Sequence, residues 1–130
     1  MRVLVACEFS GRVRDAFIAA GHDAVSCDLL PSETPGPHVV GDVLPVAWTG
    51  GPWDLMIAHP PCTFLANSGV RWLYGGKGKK RDPERWAKME EAAAFFRALL
   101  DAPIPMIAVE NPVMHGHALS LIGRRPDQII

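Results

Sequence analysis

Apolar residues along the chain gather into short runs, and each run stops abruptly at polar or turn-forming residues. "RVLVAC" (2–7) is rich in β-branched positions and ends at "EFSG", so it predicts a buried strand. "RVRDAFIAA" (12–20) places Val13, Ala16, Phe17 and Ala20 at helical spacing, with Gly21 as its stop. "DAVSCD" (23–28) predicts a second strand, and after the Pro-rich loop "LLPSETPGPH" a weak strand is expected over 38–43. "WDLMIA" (53–58) predicts a strong strand halted by Pro60 and Pro61, because proline cannot donate to a ladder. Residues 82–102 carry the clearest helix. Asp82 can cap it, Pro83 opens it, and Trp86, Met89, Ala93, Phe96 and Leu100 form one apolar stripe. "PMIAVE" (105–110) predicts the last strand.

Strands that alternate with helices predict an α/β domain with a doubly wound, mostly parallel sheet covered on both faces. One domain over 1–130 is expected, with no repeat and no low-complexity tract. The tail "LIGRRPDQII" reads as a domain cut before its last strands.

Three of the runs are followed directly by chemically special residues. Glu8, Phe9, Ser10 and Gly11 follow the first. His59, Pro60, Pro61 and Cys62 follow the "WDLMIA" run, and Glu110, Asn111 and Pro112 close the last. In open α/β sheets, ligands bind beyond the carboxyl ends of the strands. The three clusters are therefore expected at one crevice, with the first strand central and the strands near 2–7, 53–58 and 105–109 as neighbours.

Charge and cysteine content narrow the picture. The net charge is −1, so the whole chain is no general polyanion binder. Residues 71–88, however, hold seven Lys or Arg against two acids. Such a Gly-rich basic loop can face phosphate locally, or can be a solvated surface. Trp72 and Tyr74 beside it can stack on a base or anchor the loop. Three cysteines and no export signal imply reduced thiols and a cytoplasmic protein. No apolar run is long enough to span a membrane. Cys7 and Cys27 sit inside strand patterns and are expected in the core. His59, Cys62, His115 and His117 are zinc-type ligands at spacings common by chance, so no metal site is assigned.

"GDV…WDLMIAHPPCTFLANSG" followed by "VENP" resembles the DNA cytosine-5 methyltransferases, and most of all their small phage-type members. Five elements appear in the family's order over residues 1 to about 115: Phe9-Ser10-Gly11, the acidic Asp28, Gly41-Asp42, Pro61-Cys62 and Glu110-Asn111. The resemblance implies a Rossmann-like methyltransferase fold, S-adenosylmethionine as cofactor and cytosine-containing DNA as partner. It implies Cys62 as the nucleophile, Glu110 as the carboxyl group against the ring nitrogen-3 edge, and Asn111 as a brace for that turn. Phe9, Ser10, Gly11 and Pro60 are then expected beside the cofactor, with Asp28 on its ribose and Asp42 near its adenine. Arg71, Lys77, Lys79, Lys80 and Arg81 are expected to face phosphate. Arg12, Val13 and Arg14 stand where the family has further glycines. Its substrate-steadying arginine strand is not recognisable, and no target-recognition domain is visible.

These residue types suit the chemistry. Carbon-5 of cytosine is a weak nucleophile until a thiolate adds at carbon-6, and cysteine is the side chain that attacks well near neutral pH. A carboxyl group at the ring edge offsets the charge that develops. Two other readings compete. A degenerate methyltransferase fold could bind a nucleotide or partner without turnover. Amino-methylation of DNA uses a related strand-end motif, from which His59-Pro-Pro-Cys62 departs at both ends.

Overall fold

A computed structural model describes residues 1–65 and 83–129. The order of elements is β1 (Arg2–Ala6), α1 (Arg12–Ala19), β2 (Asp23–Asp28), β3 (His38–Val40), α2 (Val43–Thr49), β4 (Leu55–Ala58), α3 (Pro83–Leu100), β5 (Met106–Val109) and α4 (Gly116–Ile122). The chain divides into two compact units. Met1–Pro60 with Ala98–Glu110 form the first, and Pro61–Arg97 with Asn111–Ile130 form the second.

The first unit holds a five-stranded, all-parallel sheet in the order β3-β2-β1-β4-β5. β1 is central and neighbours β4, which in turn neighbours β5, as the strand-end clusters require. From β1 the chain winds outward to β2 and β3, then returns to the other side of β1 for β4 and β5. The winding direction therefore switches between β1 and β4.

Register explains why β1 is apolar without alternation. Val3, Leu4, Val5 and Ala6 are all fully buried, so both faces of this strand are covered. Val3 and Val5 share one face with Ala24 and pack against Val13 and Phe17 of α1 and Leu55 of β4. The first helix thus docks by two apolar side chains, while Ala16 and Ala20, expected on the same stripe, are exposed. Its C-terminus closes as the glycine predicts. Gly21 takes φ 93°, its N–H donates to Ile18 O at 2.9 Å, and the His22 N–H donates to Phe17 O at 3.0 Å.

Several boundaries differ from those read off the sequence. The strand expected over 38–43 stops at Val40, because Gly41 turns the chain and Asp42 caps a helix that the sequence did not predict. Asp42 Oδ1 accepts from Leu44 N at 3.0 Å. Trp48 Nε1 of α2 donates to Ala98 O, and Trp53 Nε1, beyond the helix, donates back to Val46 O, so α2 is held by two indoles. In α3 the buried stripe is Met89, Ala93, Phe96 and Leu99, rather than one ending on Leu100. α4 is a second unpredicted helix. No helix among the described residues is long and apolar enough to cross a membrane.

Candidate active site

The carboxyl edge of the sheet is built by continuing its ladders one residue past the strands. Cys7 N–H donates to Cys27 O at 2.8 Å, His59 N–H to Ala6 O at 3.0 Å, and Glu110 N–H to Ala58 O at 3.0 Å. Gly41 N–H donates to Asp28 O at 2.8 Å. Within the first unit this brings the ends of β1, β2, β4 and β5 to one edge. Phe9–Gly11, Asp28, Pro60 and Glu110, all predicted from sequence, lie there, with Asp42 just beyond β3.

The loop after β1 is tied to itself. Glu8 is buried, and its carboxylate accepts from Gly11 N at 3.0 and 3.2 Å and from the Ser10 hydroxyl. Ser10 Oγ accepts in turn from Arg12 N at 3.2 Å. Two amides at the start of α1, those of Gly11 and Arg12, are therefore taken by side chains of the same turn. Gly11 opens the helix at φ 80°. A Cβ there would lie 2.1 Å from Thr34 Oγ1 and 2.6 Å from the Arg14 guanidinium, so the position needs glycine on two counts. Phe9 is left at the rim, 36% exposed.

Arg14 is the surprise of this loop. Its side chain is completely buried, and the guanidinium donates to Asp15, Ser26, Ser32, Thr34 Oγ1 and the carbonyls of Thr34 and Pro35. Arg14 thus turns inward and staples the Pro-rich loop to α1. Its charge beside Asp15 holds that carboxyl below its usual range, chiefly through the direct hydrogen bond. Ser26 Oγ lies 2.7 Å from His38 Nδ1, and His38 Nε2 lies 2.9 Å from Leu30 O, which carries the same network into β3.

Asp28 ends β2 with one oxygen on Leu30 N at 2.9 Å, and its other oxygen has no hydrogen-bond partner among the described residues. The Cys7 thiol lies nearby, at φ 58°, where a residue other than glycine is uncommon. Burial first, then the charges of Asp28, Cys27 and Asp42, push its pKa up to about 12, and Cys27 rises to about 11 for the same reasons. Both therefore stay protonated thiols near neutral pH. Cys27 is in the core as expected, whereas Cys7 lies just past the strand and is only partly buried.

At the ends of β4 and β5, His59 Nδ1 stands 3.5 Å from Glu110 Oε2. His59 Nε2 is buried with no hydrogen-bond partner among the described residues. Pro60 is buried beside it in sequence, while Glu110 is largely exposed. In sequence His59 was only one member of a cluster. The structure makes it the ring that faces Glu110.

The second unit holds Cys62 and Asn111. Cys62 is a partly buried free thiol that opens a turn closed by Leu65 N–H on Cys62 O at 3.0 Å. Both amide atoms of Asn111 are buried without a partner among the described residues. Among the described residues, no group of three or more His, Cys, Asp and Glu could hold a metal ion. Arg71, Lys77, Lys79, Lys80 and Arg81 of the basic loop, with Trp72, Tyr74 and the expected cap Asp82, lie outside the described residues. No family model matches this chain, and neither does any curated protein or solved structure.

Proposed function

We propose that this protein is an S-adenosylmethionine-dependent methyltransferase of doubly wound, Rossmann-like fold that methylates carbon-5 of cytosine in DNA. The strand order β3-β2-β1-β4-β5 supports the fold, since it runs as the first five strands of a dinucleotide-binding sheet do and switches at β1/β4. The observation that carries the cofactor reading is Glu8. In a dinucleotide site the amides after the first strand stay open for a pyrophosphate. Here a buried carboxylate occupies the Gly11 amide, and its negative charge would repel phosphate. That arrangement suits a cofactor with cationic sulfonium and ammonium groups and no phosphate. Asp28 offers a carboxylate oxygen to ribose hydroxyls, and Phe9 a ring at the rim.

S-adenosylmethionine would supply an electrophilic methyl group. Cys62 would add its sulfur to carbon-6, so that carbon-5 gains the electron density to take that methyl. With the methyl transferred and S-adenosylhomocysteine left behind, the carbon-5 proton would pass to water, and the carbon–sulfur bond would break with its electron pair returning to Cys62 as the thiolate. Glu110 would hold the ring edge, and His59 would fix the carboxyl from its Nδ1 side. The Pro-Pro-Cys and Glu-Asn-Pro motifs support cytosine as the base, and the two unreactive cysteines leave Cys62 to act.

Calorimetric titration tests the cofactor reading. S-adenosylmethionine should bind saturably and NAD should not. Asp28→Ala should weaken binding about tenfold, the loss of a hydrogen bond to a charged group. Equal binding by Asp28→Ala, or tight binding of NAD, would overturn the pocket assignment.

A further inference from the structure

We propose that His115 is the positioning residue of the Cys62 turn: one buried imidazole locks the residues that follow the cysteine to the start of α4. Its catalytic meaning rests on the reading of Cys62 given above. The geometry lies wholly within the second unit. His115 Nε2 is 3.1 Å from Phe64 O, and the His115 N–H donates to Leu65 O at 3.1 Å. His115 therefore grips two successive carbonyls of the turn that Cys62 opens. Its Nδ1 meanwhile accepts from Ala118 N at 3.2 Å and caps α4. One ring nitrogen must donate and the other must accept, so the contacts select the neutral tautomer with its proton on Nε2.

The turn is held from a second side. Arg85 of α3 donates to Thr63 O at 3.2 Å, and its guanidinium lies 4.3 Å from the centre of the Phe64 ring. Thr63, Phe64 and Leu65 are thus each fixed by a neighbouring helix or its cap, and the thiol at the head of the turn has little freedom left. At 4% exposure His115 is shielded from water. Burial above all, and the nearby His117 ring, hold its pKa below the usual value, against the pull of the Phe64 carbonyl. The required neutral form is thereby favoured.

The residue type argues against a plain cap. Ser, Thr, Asp or Asn would cap α4 as well, but none reaches two ways at once. His115→Asn separates the two duties, because an asparagine can keep the cap while giving up the Phe64 carbonyl. The readout is the rate of iodoacetamide alkylation at Cys62, followed by peptide mass spectrometry on the intact chain. Loss of one hydrogen bond should raise the open population, and so the rate, by about fivefold. The thermal midpoint should stay near that of the parent. An alkylation rate equal to the parent's, at an unchanged midpoint, would overturn the proposal.

A second measurement needs no variant. Nitrogen-15 shifts of the His115 ring in the parent protein should show a protonated Nε2 and a bare Nδ1, and the opposite tautomer would overturn the proposal. Failure here leaves the methyltransferase reading intact. Faster alkylation in His115→Asn supports the clamp even if no protein forms a DNA adduct, and the missing adduct then counts only against the function.

Discussion

Within the first unit, the residues that follow β1 and those that end β4 and β5 lie at the same sheet edge but treat their polar atoms in opposite ways. After β1, every conspicuous polar group is spent on the protein itself. Glu8 and Ser10 take two amides of their own turn, and Arg14 spends its guanidinium on Asp15, Ser26 and the Pro-rich loop. After β4, by contrast, His59 keeps a buried nitrogen with no partner among the described residues and meets Glu110 only at 3.5 Å. A buried polar atom without a partner costs stability and persists where something else compensates it. The first loop is scaffold, and under the proposed function the groups after β4 are the ones left to meet a substrate. Substitutions should accordingly act on stability in the first and on chemistry in the second.

Arg14→Leu should give the largest effect on folding. It strips a buried charge from three hydroxyls and two carbonyls, and should cost about 3 kcal/mol. Urea unfolding would check this. A loss under about 1 kcal/mol would mean that the Pro-rich loop holds without its staple.

His59→Leu should behave in the opposite way. Stability should change by no more than about 1 kcal/mol, or even rise, since the change removes a buried nitrogen that has no partner among the described residues. Methyl transfer should still fall by about two orders of magnitude, because Glu110, the proposed acid at the ring edge, would lose the imidazole that fixes it. Unfolding and radiolabelled methyl transfer, measured on the same preparation, separate the two effects. A variant that is destabilised yet fully active would reverse the comparison.

The smallest effect concerns acid. The folded protein holds His115 neutral to lower pH than the unfolded chain does. Its contribution to stability is thus fully present above about pH 6.5 and is lost as pH falls through the lower, folded value. His115→Asn should flatten this part of the curve of unfolding free energy against pH. An equally steep acid slope in the variant would assign the loss to other groups.

How much of this could be read from sequence depends on the kind of residue. The strands were legible because β1, β2, β4 and β5 are short apolar runs cut off by polar residues, and order along the chain placed their ends at one edge. α2 was hidden because Pro45 stands at its third residue, although a proline in the first turn loses no hydrogen bond there. α4 was hidden because a histidine caps it and a glycine opens it, neither of which is a usual start signal. In sequence Arg14 only stands where the family has a glycine, and its burial is not legible, since charge is rarely fully buried. Only the hydroxyls and carbonyls converging from the 26–35 segment reveal it as a staple. Glu8 was seen as one of a cluster, but nothing local shows that its carboxylate folds back onto Gly11. The buried atoms of His59 and Asn111 that lack partners among the described residues are visible only in three dimensions.

The central claim is that Cys62 attacks cytosine, and a trapping experiment tests it most directly. DNA carrying 5-fluorocytosine should form a covalent, denaturant-stable adduct with the protein when S-adenosylmethionine is present, because fluorine cannot leave carbon-5 as a proton does. Mass spectrometry should place the thioether on Cys62. Cys62→Ser should abolish it, since a hydroxyl is far less nucleophilic near neutral pH. Cys7→Ser and Cys27→Ser should retain it, because both thiols are held protonated. Methyl transfer that continues undiminished in Cys62→Ala would contradict the account.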